Sequence, residues 1–135
     1  MSLKFEYALK ILEKHLDSFG HVNNATYLEL YEEARWDFIE KNGFGLAHIQ
    51  ECQQGPVILE LNLRFKAELV NRENIVIVSQ HLETVGSRLM LMSQKMLKED
   101  GTIASEIELK IGLMDMQERR LIKASPEWLK AIGVE

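Results

Sequence analysis

Residues 23–43, with the sequence NNATYLELYEEARWDFIEKNG, indicate the architecture of the chain. Its hydrophobic residues recur every three or four positions, the spacing of one face of an α-helix. The members of this predicted stripe are Tyr27, Leu28, Tyr31, Ala34, Phe38 and Ile39. The pattern predicts a helix over about residues 25–41, with Asn23 or Asn24 as its N-cap and Gly43 as its C-cap. Such a helix must bury its apolar face against another layer of structure.

The flanking sequence predicts that this second layer is a sheet. Apolar and polar residues alternate with the period of a strand in residues 3–11, 56–65, 75–83, 88–98 and 102–115. Short connections between the later strands indicate an antiparallel meander. Residues 46–55 fit a short helical turn, and Ser125 followed by Pro126 predicts the start of a terminal helix. We therefore predict an α+β fold, with one long helix on an antiparallel sheet of about five strands.

The length, net charge and cysteine content of the chain argue against several classes of protein. The 135 residues suit a single domain over residues 1–135, large enough to form a core without a disulfide or a metal. A net charge of -5 argues against a nucleic-acid partner, which would need a concentrated basic face. A single cysteine, Cys52, the lack of a signal-like start and the lack of a long apolar run lead us to expect a cytoplasmic protein with no membrane span.

The loop before the helix, DSFGHVNNATY at residues 17–27, holds the candidate chemistry. Asp17 lies just ahead of a predicted helix N-terminus, where free N–H groups and a partial positive charge would polarise a carbonyl oxygen. Thioester hydrolysis needs both elements, a base or nucleophile and a donor to the developing oxyanion. From the residues alone, the usual interpretation of an Asp in a loop before a helix is a solvated or capping carboxylate.

This run, with YEEARW at residues 31–36, resembles the active-site segment of hotdog-fold acyl-CoA thioesterases. It is similar to the 4-hydroxybenzoyl-CoA thioesterase-like family, especially its long-chain acyl-CoA members, and plant acyl-carrier-protein thioesterases carry a related HVNN run. The resemblance implies a hotdog fold, in which the sheet wraps the long central helix. It also implies an enzyme that hydrolyses acyl-CoA to a free acid and CoA. The expected assembly is a homodimer or homotetramer with active sites at the subunit interface and no metal or cofactor.

The resemblance also implies roles for single residues. Asp17 would either activate water or attack the thioester carbon, and N–H groups near residues 24–27 would form the oxyanion site. His21 would donate to the thioester or orient Asp17. Asn23 and Asn24 would position water, substrate or the loop, although capping is the structural alternative. The predicted substrate contacts are Gly20, Tyr27 and Phe19.

Two other functions stay open at this point. One is the same hydrolysis on an acyl-carrier protein, and the other is acyl-CoA binding without turnover. Glu68 stands where the family often has proline, which weakens any transfer of CoA contacts to that turn. Basic side chains that could pair with CoA phosphates, or simply be solvated, are Arg64, Lys66, Arg72 and Arg88.

The other residues considered for a functional role are expected to be structural. Glu33 and Arg35 are expected to form a solvated or structural pair. Three histidines and Cys52 lack the spacing of metal ligands; the histidines are His15, His48 and His81. Three methionines are expected in the core, with an acyl pocket as the alternative: Met90, Met92 and Met96.

Overall fold

The computed structural model describes residues 2–135, which form six strands and three α-helices. The strands are β1 Lys4–Lys10, β2 Gln54–Phe65, β3 Asn74–Val85, β4 Leu89–Lys98, β5 Ile103–Asp115 and β6 Arg120–Ile122. The helices are α1 Asn24–Lys41, α2 Leu46–Cys52 and α3 Pro126–Ala131, and a 3₁₀ turn covers Glu13–His15. None of these helices is both long and apolar enough to cross a membrane.

All neighbouring strands are antiparallel, in the order β1-β3-β4-β5-β2. The predicted α+β architecture and its five main strands are therefore confirmed. The structure adds β6, which pairs with residues 113–115 at the end of β5. Its three residues are too few to show a strand's alternation in the sequence, because that signal needs four or more positions.

Helix α1 packs on one face of the sheet through a stripe close to the predicted one. Tyr27, Tyr31, Ala34, Phe38 and Ile39 are buried, as expected. The prediction was wrong for one member of the stripe. Leu28 is 37% exposed, and Leu30 is buried in its place. Leu30 lies three and four positions from Tyr27 and Ala34, so it extends the same ridge, whereas Leu28 lies to one side of it.

A buried polar contact fixes how α1 sits on the sheet. The Gln94 side chain on β4 is fully buried, and its Nε2 donates to the Tyr31 carbonyl of α1 and to Ser79 Oγ of β3, both at 3.0 Å. Its Oε1 accepts from Arg35 Nη1 at 2.9 Å. The Tyr31 hydroxyl donates to Ser105 Oγ at 2.9 Å, and burial raises the pKa of Tyr31 well above its usual value. These bonds set the rotation and the position of the helix along its axis.

The expected Glu33–Arg35 pair does not form. Glu33 Oε2 accepts from the Tyr7 hydroxyl at 2.9 Å, whereas Arg35 reaches Gln94. Residues two positions apart on a helix point in different directions, so the two side chains meet different strands. Burial and the neighbouring Glu33 carboxylate both raise the pKa of Tyr7.

The core between α1 and the sheet is closed by short elements. Met90, Met92 and Met96 are buried, which confirms them as core residues. Ser125 Oγ accepts from Trp128 N and caps α3, with Pro126 in the first turn as predicted. Trp128 is fully buried, with its ring centroid 5.2 Å from that of Phe44.

The two edge strands differ in how they are protected. In β1 the exposed positions are mostly charged, which discourages pairing with another sheet. Strand β2 is 12 residues long, pairs only with β5, and exposes Ile58, Leu59, Leu61 and Phe65 by 40–55%. Its apolar residues were expected to alternate cleanly, but a register shift between Ile58 and Glu60 and the lack of an outer neighbour leave several of them uncovered.

Replacement of Gln94 tests the polar contact. We expect Gln94→Met, which keeps size but removes the amide, to lower the free energy of unfolding by about 2–4 kcal/mol, because it leaves several buried polar groups without partners. Urea unfolding measures this change. Ser93→Ala, on the opposite face of β4, is the control and should change stability by less than about 0.5 kcal/mol. Equal effects of the two substitutions would contradict the role given to Gln94.

Candidate active site

Two short segments before α1 form a small hairpin that places Asp17. Asp17 N donates to the His21 carbonyl at 2.9 Å, and Asn23 N donates to the His15 carbonyl at 3.0 Å. Leu16 and Val22 face each other between these bonds as an antiparallel bridge. The chain therefore folds back on itself, and Asp17 is returned to the beginning of α1.

The tip of the hairpin is a tight turn with one required glycine. Gly20 N donates to the Asp17 carbonyl at 3.1 Å, and Gly20 has a φ of +80°, which favours glycine. Asp17 Oδ1 accepts from Phe19 N at 2.9 Å, a contact within the loop that holds the carboxyl group in one orientation. Because Oδ1 makes this bond, Oδ2 is the oxygen left for chemistry.

The start of α1 leaves the Asn24 N–H group free. Asn23 is the N-cap, and its Oδ1 accepts from Ala25 N at 2.9 Å. Thr26 N donates to the Asn23 carbonyl at 3.0 Å. Within residues 2–135, the Asn24 N–H has no hydrogen-bond partner among the loop and cap contacts. That group also lies at the positive end of an 18-residue helix.

Asp17 and the start of α1 open into the same cleft, of about 530 Å³. Four of the sequence-predicted site residues line it: Asp17, His21, Asn24 and Tyr27. The other wall comes from the end of β2 and the loop after it, with Phe65, Lys66, Ala67 and Glu68. The Tyr27 and Phe65 rings meet edge to face with centroids 5.0 Å apart, which gives the cleft an apolar side.

The other predicted site residues do not line this cleft. Asn23 is committed to capping α1. Gly20 shapes the turn, and its predicted contact with substrate gains no support from the lining of the cleft. Phe19 is 82% exposed at the tip of the hairpin and points to no partner within the described chain.

His21 is paired with a residue that was not expected beside it. His21 Nε2 lies 2.7 Å from Glu68 Oε2, and the two side chains are partly exposed. A carboxylate only accepts, so this contact requires a proton on Nε2, and Nδ1 of a neutral ring is then an acceptor. His21 would donate from Nδ1 to a thioester only as the imidazolium.

The β2–β3 loop is held against the hairpin by backbone contacts. Val22 N donates to the Leu69 carbonyl at 3.0 Å, and His21 pairs with Val70 as a bridge. These contacts join residues about 48 positions apart, which explains why Phe65 and Glu68 were not identified as parts of the site. Lys66 was expected as a CoA-phosphate candidate, and its Nζ lies 3.3 Å from Glu106 Oε2.

A model of the Thioesterase-like superfamily matches residues 12–132, a span that includes the hairpin, α1 and every later strand. The chain belongs to this family. Long-chain acyl-CoA thioesterase FadM of Escherichia coli (strain K12) is 27% identical over 119 residues, which cover 88% of this chain and 89% of FadM. A chloroplastic acyl-acyl carrier protein thioesterase of Arabidopsis thaliana is 29% identical over 89 residues, 66% of this chain and 47% of that protein.

Solved structures show the same fold. The probable thioesterase YbaW of Escherichia coli superposes with a TM-score of 0.82 at 25% identity, over 94% of this chain and 95% of that one. A hypothetical protein of Staphylococcus aureus in complex with CoA gives a TM-score of 0.88 at 17% identity, over 98% and 83% of the two chains. The predicted hotdog fold is confirmed, and so is the prediction of a thioesterase, at the level of the family.

No group of three or more His, Cys, Asp or Glu side chains among residues 2–135 is arranged to hold a metal ion. The roles of Asp17, His21 and the start of α1 in catalysis stay predictions.

The two neighbouring asparagines make a matched test of the helix cap. Asn23→Ala should lower the free energy of unfolding by about 1 kcal/mol, because the Ala25 N–H loses its acceptor. Asn24→Ala keeps its backbone N–H and should change stability by less than about 0.5 kcal/mol. Thermal or urea unfolding of both variants measures the difference. A larger loss in Asn24→Ala would overturn the assignment of Asn23 as the cap.

Proposed function

We propose that this protein hydrolyses acyl-CoA to a free carboxylic acid and CoA, with Asp17 as base or nucleophile. One observation carries the proposal: the half-buried Asp17 carboxylate and the first turn of α1, with its free Asn24 N–H, line the same cleft. The names of the relatives support the substrate class, since FadM is a long-chain acyl-CoA thioesterase. The solved structure from Staphylococcus aureus in complex with CoA supports a fold able to bind that carrier.

The start of α1 supplies the electrophilic half of the mechanism. A thioester carbonyl oxygen placed at the Asn24 N–H would accept a hydrogen bond at the positive end of the helix dipole. Negative charge grows on that oxygen as the carbonyl carbon becomes tetrahedral, so the interaction strengthens toward the transition state. The Ala25 and Thr26 N–H groups are already bonded to Asn23, whereas the Asn24 N–H is available as a donor within the predicted segment.

Asp17 supplies the other half by one of two routes. As a base, its Oδ2 takes a proton from water while the water oxygen bonds to the carbonyl carbon. The C–S bond then breaks, and the CoA thiolate leaves and is protonated. As a nucleophile, Oδ2 bonds to that carbon and expels the thiolate to leave an acyl anhydride, which water cleaves to the acid and the free carboxylate. Both routes use the same oxygen and the same carbonyl acceptor site.

We propose that His21 fixes the shape of the cleft. Its carbonyl accepts from Asp17 N, and its ring contacts Glu68, so it joins the Asp17 hairpin to the loop after β2. We assign it a positioning role for Asp17. The proposed reaction uses water and the CoA portion of the substrate, with no separate cofactor. The single cysteine supports the expected cytoplasmic location, which stays a proposal.

Removal of the Asp17 carboxylate tests the mechanism. We expect Asp17→Asn to lower kcat/KM for acyl-CoA by at least about 100-fold, because the amide neither accepts a proton nor attacks carbon. The amide oxygen can still accept from Phe19 N, so the loop should keep its shape. CoA release from short, long and aromatic acyl-CoAs measures the loss and gives the chain preference.

Asp100→Asn is the matched control. Asp100 Oδ1 accepts from Thr102 N at 2.9 Å, the same kind of contact as in the Asp17 loop, but in the turn between β4 and β5. This variant should keep wild-type turnover. If wild type binds the acyl-CoA panel and releases no CoA, hydrolysis of those substrates is excluded, and acyl-CoA binding without turnover explains the site.

The second candidate substrate is an acyl-carrier protein. The Arabidopsis thaliana relative, named an acyl-acyl carrier protein thioesterase, favours it, although this chain spans about half of that protein. Comparison of kcat/KM for one acyl chain on the two carriers separates the candidates. A preference for the carrier protein over CoA would replace the first proposal while leaving the role of Asp17 in place.

We also propose that two copies join through the free edge of β2 to form a homodimer, which could pair further into a tetramer. The exposed apolar side chains of this long edge would be covered by the partner, and the charged β1 edge offers no such surface. Phe65 belongs both to this edge and to the cleft, so the join would place the partner beside the active site.

Leu59→Lys tests the assembly. A charge at this 46% exposed edge position should shift the protein from dimer to monomer, because pairing would bury an unpaired ammonium group. Sedimentation or light scattering measures the mass. Val85→Lys, at a 45% exposed position at the end of β3, is the control and should leave the assembly unchanged. A Leu59→Lys protein that keeps the wild-type mass would exclude this edge as the interface.

A further inference from the structure

A polar contact between two side chains crosses the Asp17 cleft. His21 belongs to the wall formed by the hairpin, Glu68 belongs to the opposite wall formed by the loop after β2, and both residues line the cleft. Nε2 of the histidine lies 2.7 Å from Oε2 of the glutamate. Among residues 2–135, no second ion pair or side-chain hydrogen bond joins the two walls, so this contact alone gives the cleft a polar bridge.

Main-chain hydrogen bonds fix Glu68 from both sides. The N–H groups of the two residues before it donate to the Ala104 carbonyl of β5 at 2.9 and 3.0 Å. The Leu69 carbonyl after it accepts from Val22 N of the hairpin at 3.0 Å. The contact with His21 therefore joins two segments of defined position, which gives it a defined geometry although both side chains are partly exposed.

The Glu68 carboxylate has no lysine or arginine partner in the part of the chain that the structure describes. The Lys66 ammonium two residues earlier lies beside Glu106, at 3.3 Å. The histidine ring is therefore the group that Glu68 contacts. A carboxylate beside one nitrogen of an imidazole determines which nitrogen carries the proton, because it accepts and does not donate. In the neutral ring of His21, that nitrogen is Nε2.

The other ring nitrogen of His21, Nδ1, is left as an acceptor. It makes no hydrogen bond within residues 2–135, whereas His15 uses Nδ1 and His81 uses both ring nitrogens. Because Nδ1 is the ring nitrogen next to the attachment of the side chain, it lies on the hairpin side, the side that carries Asp17. An unpaired acceptor in this place suits a ligand that brings an N–H or O–H group.

We propose that Glu68 is a positioning residue for the neutral His21 ring, whose Nδ1 accepts a hydrogen bond in the substrate complex. The inference rests on the proposed function. Two groups supply the same kind of donor: an amide N–H of the pantetheine arm, which CoA and acyl-carrier proteins share, and an O–H of the water that cleaves the thioester. For either donor, Glu68 holds the ring in one tautomer and one direction and polarises it, which strengthens Nδ1 as an acceptor.

The tautomer of His21 is measurable without substrate. Two-bond ¹H–¹⁵N NMR spectra at alkaline pH, where the ring is neutral, should show the proton of wild-type His21 on Nε2, and His21→Phe identifies the signals by their loss. In Glu68→Ala we expect the populations to move toward the mixture of tautomers of a free imidazole. A wild-type ring with its proton on Nδ1, or an unchanged spectrum in Glu68→Ala, would overturn the proposal.

Turnover connects the ring to the reaction. We expect Glu68→Ala to lower kcat/KM for acyl-CoA by about five- to tenfold, the equivalent of one hydrogen bond. Glu68→Gln keeps an oxygen that accepts from Nε2–H and should retain about half of the wild-type value or more. In a His21→Phe background, Glu68→Ala should cause no further loss, because Glu68 acts through the ring. Additive losses, or equal losses in Glu68→Gln and Glu68→Ala, would contradict this role.

Thioesters with and without an amide separate the two donors. An acyl thioester of N-acetylcysteamine carries one amide, and the same acyl group on an alkanethiol of equal length carries none. If the amide is the donor, Glu68→Ala raises KM for the first substrate alone. If water is the donor, Glu68→Ala lowers kcat for both. Unchanged kcat and KM on both substrates would exclude the proposal.

Glu118→Ala is the matched control. Glu118 Oε2 lies 2.7 Å from Arg120 Nη2, and its side chain is 57% exposed against 61% for Glu68, but neither Glu118 nor Arg120 lines the cleft. This variant should keep wild-type turnover and the wild-type His21 spectrum. Since exposed ion pairs contribute little to stability, both alanine variants should unfold at the urea midpoint of wild type. If wild type hydrolyses no thioester, the proposed function fails, and the NMR spectra still decide whether Glu68 positions His21.

Discussion

The geometry of the molecule follows from how α1 sits on the sheet. Apolar burial holds the helix against the sheet, but apolar contacts alone allow a helix to slide or rotate. The Gln94 amide removes that freedom, because it reaches the Tyr31 carbonyl, Ser79 and Arg35 from one buried position. With the helix fixed, its first turn lies at a defined place beside the end of β2, and the cleft follows from that placement.

Asp17 is positioned relative to that first turn by a different set of bonds. The hairpin from His15 to Asn23 closes through backbone contacts, and Val22 and His21 attach it to the loop after β2. The carboxylate and the free N–H of Asn24 thus come from one continuous stretch of chain, whereas the apolar wall with Phe65 comes from another. A local motif supplies the candidate chemistry, and a distant strand supplies the surface that would hold the acyl group.

The contrast between local and distant contacts explains which features could be predicted from the sequence. Helix α1, the central strands and the Asp17–Asn24 segment depend on periodicity and short-range turn chemistry, so they were visible in the residues themselves. Leu28 was assigned to the buried stripe instead of Leu30, because the spacing of apolar residues leaves open which of the two faces the sheet. Glu68 beside His21 and the exposed face of β2 were not predicted, because both depend on which strands become neighbours. The functional role of each predicted site residue likewise depends on a substrate that sequence periodicity does not describe.

Because backbone contacts hold the Asp17 hairpin, some of its side chains can vary without changing its shape. Its shape depends on main-chain groups and on Gly20, and the side chains of Ser18 and Phe19 are exposed at its tip. Mutations at these two positions can therefore change the exposed surface next to Asp17 in the chain without displacing the carboxylate. Related proteins can therefore differ in substrate selectivity through this loop while Asp17 keeps its position.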